Sequence, residues 1–169
     1  MCLVLDTNAI AACFNPEDEK HNEFRPVLEY LTHGKGKLVY GGKKYKKELG
    51  QLKNYLRLFA SLARAGKIVN LDDKAIDDVE VEIKLLEPSK NFDDPHLVAI
   101  IIKSKCKIIC TNDIRAMPYL KDSRFYSGLT CKPKLYTSSK NISLLTDKYI
   151  ADICKPCNKL PKKLADVLL

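Results

Sequence analysis

The stretch Cys2-Leu3-Val4-Leu5-Asp6-Thr7-Asn8 decides the fold of this 169-residue chain. Its short apolar run is typical of a parallel strand that is buried on both faces. The polar residues that follow predict that the strand runs directly into a helix. Residues 107–113 repeat this form, with an apolar run that ends in Thr-Asn-Asp. Two such strands indicate an α/β protein with a mostly parallel sheet.

The rest of the chain alternates between predicted helices and short predicted strands, as an α/β fold requires. Apolar residues at intervals of three and four predict helices over 21–31, 43–64 and 76–86, and Asp93-Asp94-Pro95 begins a helix that is apolar on every side. Gly50 or Asn54 is expected to divide the second of these helices. Further strands are predicted over 38–40, 67–69 and 134–136. We expect one domain over residues 1–140 and an extension over 141–169 that packs on the domain or on a partner.

Charge is unevenly distributed along the chain. Residues 72–94 contain nine acidic and three basic residues, a net charge of −6, whereas the whole chain carries +8, so the remaining residues carry +14. A basic surface suits a polyanion such as RNA, because lysine and arginine release the counterions that condense on phosphates. A solvated surface that only keeps the protein soluble would have the same composition.

The seven cysteines are an odd number, and several lie in apolar runs, so we expect most of them to be buried thiols: Cys2, Cys106 and Cys110. Cys154 and Cys157 have the spacing of metal ligands. The nearest additional candidate is Cys131, and a single pair is a weak signal, so we predict no zinc.

The N-terminal residues lack the basic region of a signal peptide. No apolar run approaches the roughly 20 residues that cross a bilayer. We therefore expect a cytoplasmic protein without a membrane partner.

Three aspartates lie where a site forms in this fold class. Asp6 and Asp113 each end a buried strand, and ligands bind beyond the carboxyl ends of the strands in open α/β sheets. Asp94 begins the buried helix that leads into the second strand. Glu48 borders the inward face of its helix, so it needs a metal ion or a basic side chain as a partner. Each aspartate could instead cap a helix, which is a common role for this residue.

These motifs resemble those of PIN domains. Residues 3–8 resemble the opening strand motif of that family, and 94–99 followed by 107–113 resembles its acidic helix start and its strand ending in Thr-x-Asp. Glu48, on a helix between them, matches the family's second acid. The order and spacing of the four acids agree with the family from residue 1 to about residue 137.

The resemblance implies a three-layer α/β/α fold and a metal-dependent endoribonuclease. It assigns catalysis and metal binding to four residues: Asp6, Glu48, Asp94 and Asp113. The implied cofactor is Mg²⁺ or Mn²⁺, since both ions prefer carboxylate oxygens. Three polar residues are expected to support the site: Asn8, Thr111 and Asp93, the last as the helix cap or as a group behind the ligands. His96 is expected on the surface or behind the ligands.

Basic residues around Glu48 predict a path for the RNA backbone. The candidate contacts are Lys43, Lys44, Lys46, Lys47, Arg57 and Arg115. Arg115 follows the last acid at a place where many PIN domains have a further acid or an aromatic residue. A solvated helix face is the alternative interpretation of the lysine-rich helix.

The resemblance leaves the biological setting open. Many small bacterial PIN proteins are toxins that an antitoxin protein inhibits, whereas the basic, cysteine-containing chain also suits RNA processing on a ribonucleoprotein. A homodimer is compatible with either setting. The alternative to an enzyme is a catalytically silent PIN fold that binds RNA or protein as a scaffold. A flavodoxin-like or response-regulator protein also places acids at strand ends, but the lysine and the early acidic pair of that class are missing.

Overall fold

Five short parallel strands form the centre of the protein within residues 2–127 and 132–167, which the computed structural model describes. They are β1 (Cys2–Leu5), β2 (Lys37–Tyr40), β3 (Ile68–Asn70), β4 (Ile108–Cys110) and β5 (Lys134–Tyr136). Their order across the sheet is β3–β2–β1–β4–β5. The predicted α/β fold is therefore confirmed, and all the strand pairs are parallel.

Helices connect the strands, because a parallel pair needs a crossover between its members. β1 and β2 are joined by α1 (Ile10–Phe14) and α2 (His21–Thr32), and β2 and β3 by α3 (Lys43–Gln51) and α4 (Lys53–Arg64). β3 and β4 are joined by α5 (Asp73–Leu86) and α6 (Pro95–Ser104), which pack along each other. The C-terminal part contains α7 (Met117–Leu120), α8 (Lys162–Val167) and several single turns of 3-10 helix. None of the helices in the described ranges has the length and apolarity to cross a membrane.

The strand order reverses at β1, and this reversal positions the site. β2 lies on one side of β1 and β4 on the other, with Leu3 paired to Leu38 and to Ile108. In open α/β sheets such a switch point leaves a crevice at the carboxyl ends of the strands, where ligands bind. Asp6 follows β1 and Asp113 lies just beyond β4, so both belong to this edge.

Helix α6 is buried on all sides, as its continuous apolar sequence predicts. Every residue from Pro95 to Ile101 is buried. Each large aliphatic side chain buried in this way contributes about 1.5–3 kcal/mol. Because α6 contacts β1 and β2, its packing fixes the position of Asp94 at its N-terminus.

Two local predictions need adjustment. The helix predicted over 43–64 is two helices that meet at Leu52, which lies between the two residues considered as the break, Gly50 and Asn54. Asp93 was considered as the cap of α6, but the N-cap residue is Asp94, because Pro95 occupies the first helical position.

The C-terminal extension contacts the domain throughout much of its described part. Ala151 and Cys154 are buried in the core. The buried Nζ of Lys67 donates to the carbonyl of Gly34 at 2.8 Å and to that of Asn158 at 3.0 Å. A disulfide joins Cys154 to Cys2. This pairing was not predicted, since both residues were expected to be thiols, and it fastens the extension to the first residue of β1.

Candidate functional site

Asp6 is held rigidly at the carboxyl end of β1. Its backbone N–H continues the sheet by donating to the carbonyl of Cys110 at 2.9 Å. One carboxylate oxygen accepts from the Thr111 hydroxyl at 2.6 Å, and the other accepts from the backbone N–H of Asn8 at 3.0 Å. The side chain therefore caps the short turn after β1 and is also clamped to β4. Both interpretations of Asp6, a cap and a site residue, fit the same geometry.

Asp113 is fixed by the same threonine. Its backbone N–H donates to the Thr111 hydroxyl at 3.0 Å, and its carboxylate accepts from the backbone N–H of Arg115 at 2.8 Å. Thr111 is fully buried and links the two strand-end acids. The supporting role predicted for Thr111 thus has a physical basis in orienting Asp6 and Asp113.

Glu48 is brought to the strand ends by Tyr45, which lies one turn earlier on α3. The buried Tyr45 hydroxyl donates to the carbonyl of Leu5, the residue before Asp6, at 2.6 Å. Glu48 then accepts from the Thr7 hydroxyl at 2.9 Å. The half-buried carboxylate therefore faces the end of β1, as its place on the helix predicts.

Asp94 and His96 complete the centre of the site. Asp94 is only 7% exposed, and its side chain makes no capping hydrogen bond within the described part of the chain. Nε2 of the buried His96 lies 3.4 Å from a Glu48 oxygen. Neither ring nitrogen of His96 has an aligned hydrogen-bond partner among the described residues. Ligand atoms of Glu48, Asp94 and His96 lie within 4.8 Å of one another.

Burial is the largest single influence on the pKa values of these acids. Burial raises the pKa of Asp94 to about 6, with a further contribution from the charge of Asp6. Burial also raises the pKa of Asp6, although the hydrogen bond from Thr111 opposes this effect. Burial acts to raise the pKa of Glu48 as well, but His96, Thr7 and Lys44 together hold it below its ordinary value. Deprotonated carboxylates are thus crowded into a poorly solvated space, which is unfavourable without a compensating cation.

A pocket of about 280 Å³ lies over these groups, and it is lined mainly by polar residues: Thr7, Asn8, Glu48, Gln51, Leu52, Asp93, Asp94, Asp113 and Arg115. Asp93 is exposed, and Arg115 extends into solvent with its guanidinium 3.4 Å from the Asp113 carboxylate. The two residues therefore lie at the rim of the pocket, and Asp6 lies beneath it. Asp6, Glu48, Asp94 and Asp113 are called the carboxylate site below.

Part of the carboxylate site offers the donors of a hard divalent cation. Mg²⁺ and Mn²⁺ bind carboxylate oxygens, often together with water. Glu48 and Asp94 lie with His96 in one group of candidate ligand atoms, which does not include Asp6 or Asp113. The Asp94 carboxylate makes no capping hydrogen bond within the described residues, and a cation bound beside it would lower its raised pKa. Two of the four predicted acids thus meet the requirement of the predicted cofactor directly.

His96 was expected on the surface or behind the ligands, and the structure excludes the surface. The residue is buried, with Nε2 3.4 Å from a Glu48 oxygen, which agrees with the second alternative. The sequence contains a signal for this position. A histidine on an otherwise apolar helix is expected to be buried, and a buried polar side chain needs a polar partner nearby. Spacing alone does not reveal it, since Glu48 is far away in the sequence.

The basic residues of α3 are only partly available for RNA. Lys46 pairs with Asp73 at 2.7 Å and Lys43 with Asp77 at 3.5 Å, so two predicted phosphate contacts are engaged by α5. Asp73 and Asp77 therefore lie against α3 rather than on a purely solvated face of α5. They also accept from the first N–H groups of α3, where Gly42 has no side chain to act as a cap.

The other basic candidates are distributed around the pocket. Lys44 lies 3.9 Å from Glu48, and Arg115 lies at the rim. Lys47 and Arg57 are exposed, and neither is in an ion pair within residues 2–127 and 132–167. Four basic candidates are thus not engaged by α5: Lys47 and Arg57, which have no ion pair among the described residues, and Lys44 and Arg115, which pair with acids of the site.

Compared with family models, with curated proteins and with solved structures, the chain matches none. The likeness to PIN domains therefore stays a resemblance of motifs. What the chain does has to be inferred from the carboxylate site itself.

Proposed function

We propose that the protein is a metal-dependent endoribonuclease that hydrolyses RNA phosphodiester bonds at the carboxylate site. The observation that carries this proposal is one polar pocket lined by Glu48, Asp94 and Asp113, with the buried Asp6 linked to Asp113 through Thr111. Asp94 adds to it, because it is the N-cap residue of α6 and yet its buried carboxylate makes no capping hydrogen bond within the described residues.

In this proposal the four acids bind the metal ion. Asp6, Glu48, Asp94 and Asp113 would hold Mg²⁺ or Mn²⁺. The chemistry that such an ion supplies is activation of a water molecule, orientation of the phosphate and stabilisation of charge on the attacking and leaving oxygens.

Thr111, Thr7 and His96 act through the acids rather than on the substrate. The Thr111 hydroxyl keeps an Asp6 oxygen in place, the Thr7 hydroxyl orients Glu48, and His96 and Thr7 both act to lower the pKa of Glu48. Side chains that are ordered before the substrate binds need no reorganisation during the reaction, which lowers its barrier. Arg115 at the rim is placed to donate to a phosphate that enters the pocket.

Cleavage of a labelled single-stranded RNA in the presence of Mn²⁺ tests the proposal. We expect activity that a chelator abolishes, and a loss of about a hundredfold or more in Glu48→Gln, since a carboxamide is a poor ligand for a hard cation. Asp78→Asn is the matched control, because Asp78 lies on the exposed face of α5 and pairs with Lys74. It is expected to stay within about twofold of the wild type.

The variants also separate the proposal from its rival. RNA binding without any cleavage by the wild type would favour the silent scaffold. Equal cleavage by the wild type and Glu48→Gln would reveal a contaminating nuclease and overturn the assignment of the site. The toxin and RNA-processing settings, with their antitoxin, ribonucleoprotein or homodimer partners, stay predictions.

A further inference from the structure

Three cysteines from distant parts of the chain meet at the amino end of the sheet, on the edge opposite the carboxylate site. Cys2 begins β1, Cys106 lies between α6 and β4, and Cys154 ends a turn of 3-10 helix in the extension. Their sulfur atoms all lie within 4.8 Å of one another, and all three residues are fully buried. We call these residues the thiol cluster.

The disulfide between Cys2 and Cys154 accounts for only part of this arrangement. Cys106 remains a free thiol beside the bonded pair. A disulfide joins two sulfurs and gives no reason for a third to lie against them. A metal ion with thiolate ligands accounts for all three at once.

Cys157 supplies a fourth sulfur on the same segment. It is a half-buried free thiol three residues after Cys154, and its Sγ lies 3.1 Å from the Cys154 carbonyl oxygen. Its sulfur lies outside the group of three that are within 4.8 Å of one another, so its side chain would have to turn toward the cluster to bind with them. Cys154 and Cys157 thus have the two-residue spacing of a metal-binding pair.

The surroundings suit a negatively charged metal–thiolate complex. Lys67 is buried beside the segment that carries Cys157, since its Nζ donates to the carbonyl of the next residue, Asn158. Its Nζ is held by the carbonyls of Gly34 and Asn158. A complex of Zn²⁺ with four thiolates carries two negative charges, which a neighbouring ammonium group stabilises.

We propose that Cys2, Cys106, Cys154 and Cys157 form a structural site for a thiophilic divalent cation, with Zn²⁺ as the fitting ion. Zinc binds thiolates in a tetrahedron at about 2.3 Å, which places the sulfurs about 3.8 Å apart. The three sulfurs of the thiol cluster already lie within 4.8 Å of one another and need only small movements, whereas the Cys157 side chain has to turn toward them. The site would fasten the extension to β1 and to the segment before β4.

The disulfide and the metal site are alternative states of the same residues. A thiol reductant transfers two electrons and two protons to the Cys2–Cys154 bond and is itself oxidised to a disulfide. The four protein thiols then release four protons as one Zn²⁺ binds. The sequence prediction of no zinc considered Cys154 and Cys157 without Cys2 and Cys106, whose proximity depends on the fold.

Elemental analysis of the full chain tests this proposal. The protein is purified with a thiol reductant, supplied with Zn²⁺ and freed of unbound metal. We expect one zinc per chain, and at least a tenfold loss in Cys106→Ala, which leaves Cys2 and Cys154 able to form their bond. Cys13→Ala is the matched control, since Cys13 is also a buried free thiol but lies outside the cluster, and it should keep the zinc.

A spectroscopic measurement on the wild-type protein tests the proposal even if Cys106→Ala fails to fold. Replacement of Zn²⁺ by Co²⁺ should give the intense absorption of cobalt bound to thiolates in tetrahedral geometry. Less than a tenth of an equivalent of zinc in the reduced wild type would overturn the proposal. A full equivalent retained by Cys106→Ala, or a cobalt spectrum without thiolate bands, would overturn it equally.

Discussion

Replacement of Asp94 by asparagine should stabilise the metal-free protein at neutral pH. Asp94 is buried at the N-terminus of α6, with a pKa raised to about 6 from its ordinary value of 3.8. The folded state therefore holds a proton more tightly than the unfolded state does. Deprotonation opposes folding, and the free energy of unfolding falls as the pH rises from about 4 to about 6.

The size of the effect follows from the shift. About two pKa units correspond to about 3 kcal/mol at roughly 1.4 kcal/mol per unit. The carboxylate faces an open pocket, where solvent screens part of this energy, so we expect a gain of about 1–2 kcal/mol in Asp94→Asn. The gain should be present above about pH 6 and should disappear near pH 4, where the folded wild type is already protonated.

Urea denaturation in the presence of a chelator measures this difference at about pH 7.5 and about pH 5. Asp93→Asn is the matched control, since it removes the same charge near the same helix end from an exposed residue. Its effect should stay within about 0.5 kcal/mol. Addition of Mn²⁺ at about a hundred times its Kd should stabilise the wild type by about 2.7 kcal/mol and Asp94→Asn by much less.

A different result would refute the reasoning. If Asp94→Asn is less stable than the wild type by more than about 1 kcal/mol at neutral pH, while Asp93→Asn is unchanged, the charged carboxylate has a structural partner. Asp94 would then be a cap or an ion-pair residue rather than a ligand held ready for a cation.

Three further outcomes are expected from other parts of the structure. Thr111→Val removes the hydroxyl that donates to Asp6 at 2.6 Å, and urea denaturation should show a loss of about 1–3 kcal/mol. Lys47→Glu should flatten the salt dependence of RNA binding, where each single-strand phosphate contact contributes a slope of about −0.7, whereas Lys43→Glu, which removes a lysine already paired with α5, should change the slope less. Lys67→Met should lower stability by about 2 kcal/mol and expose the extension to limited proteolysis, because two carbonyl groups lose their donor.

The sheet and the acids at its edge were predictable because each is indicated by a pattern within a few consecutive residues. An apolar run of four residues followed by Asp6 describes both a buried strand and the residue at its end. The buried helix after Asp94 is equally local, since its apolar residues are continuous. Parallel topology then brings the strand ends together, so most of the carboxylate site follows from pattern and fold class.

The features that were missed depend on contacts between residues far apart in the chain. Cys2 and Cys154 are separated by 152 positions, and nothing in the spacing of the cysteines indicates that they meet. The pairing of Lys46 with Asp73 depends equally on how α3 lies against α5. A count of charges therefore predicted more free lysine around Glu48 than the structure provides.

The start of α3 shows how a distant surface can govern the geometry of the pocket. Gly42 has a φ of 84° and approaches Ile76 so closely that a Cβ atom would lie 2.6 Å from its side chain. Glycine is thus required there, and Asp73 and Asp77 of α5 take over the capping that a side chain at this position would perform. The capping of α3 by α5 limits how far the charge of this surface can be changed by engineering. Replacing the acids of α5 to strengthen attraction for a polyanion would loosen the helix that carries Glu48, so the charge of this surface and the geometry of the carboxylate site cannot be tuned independently.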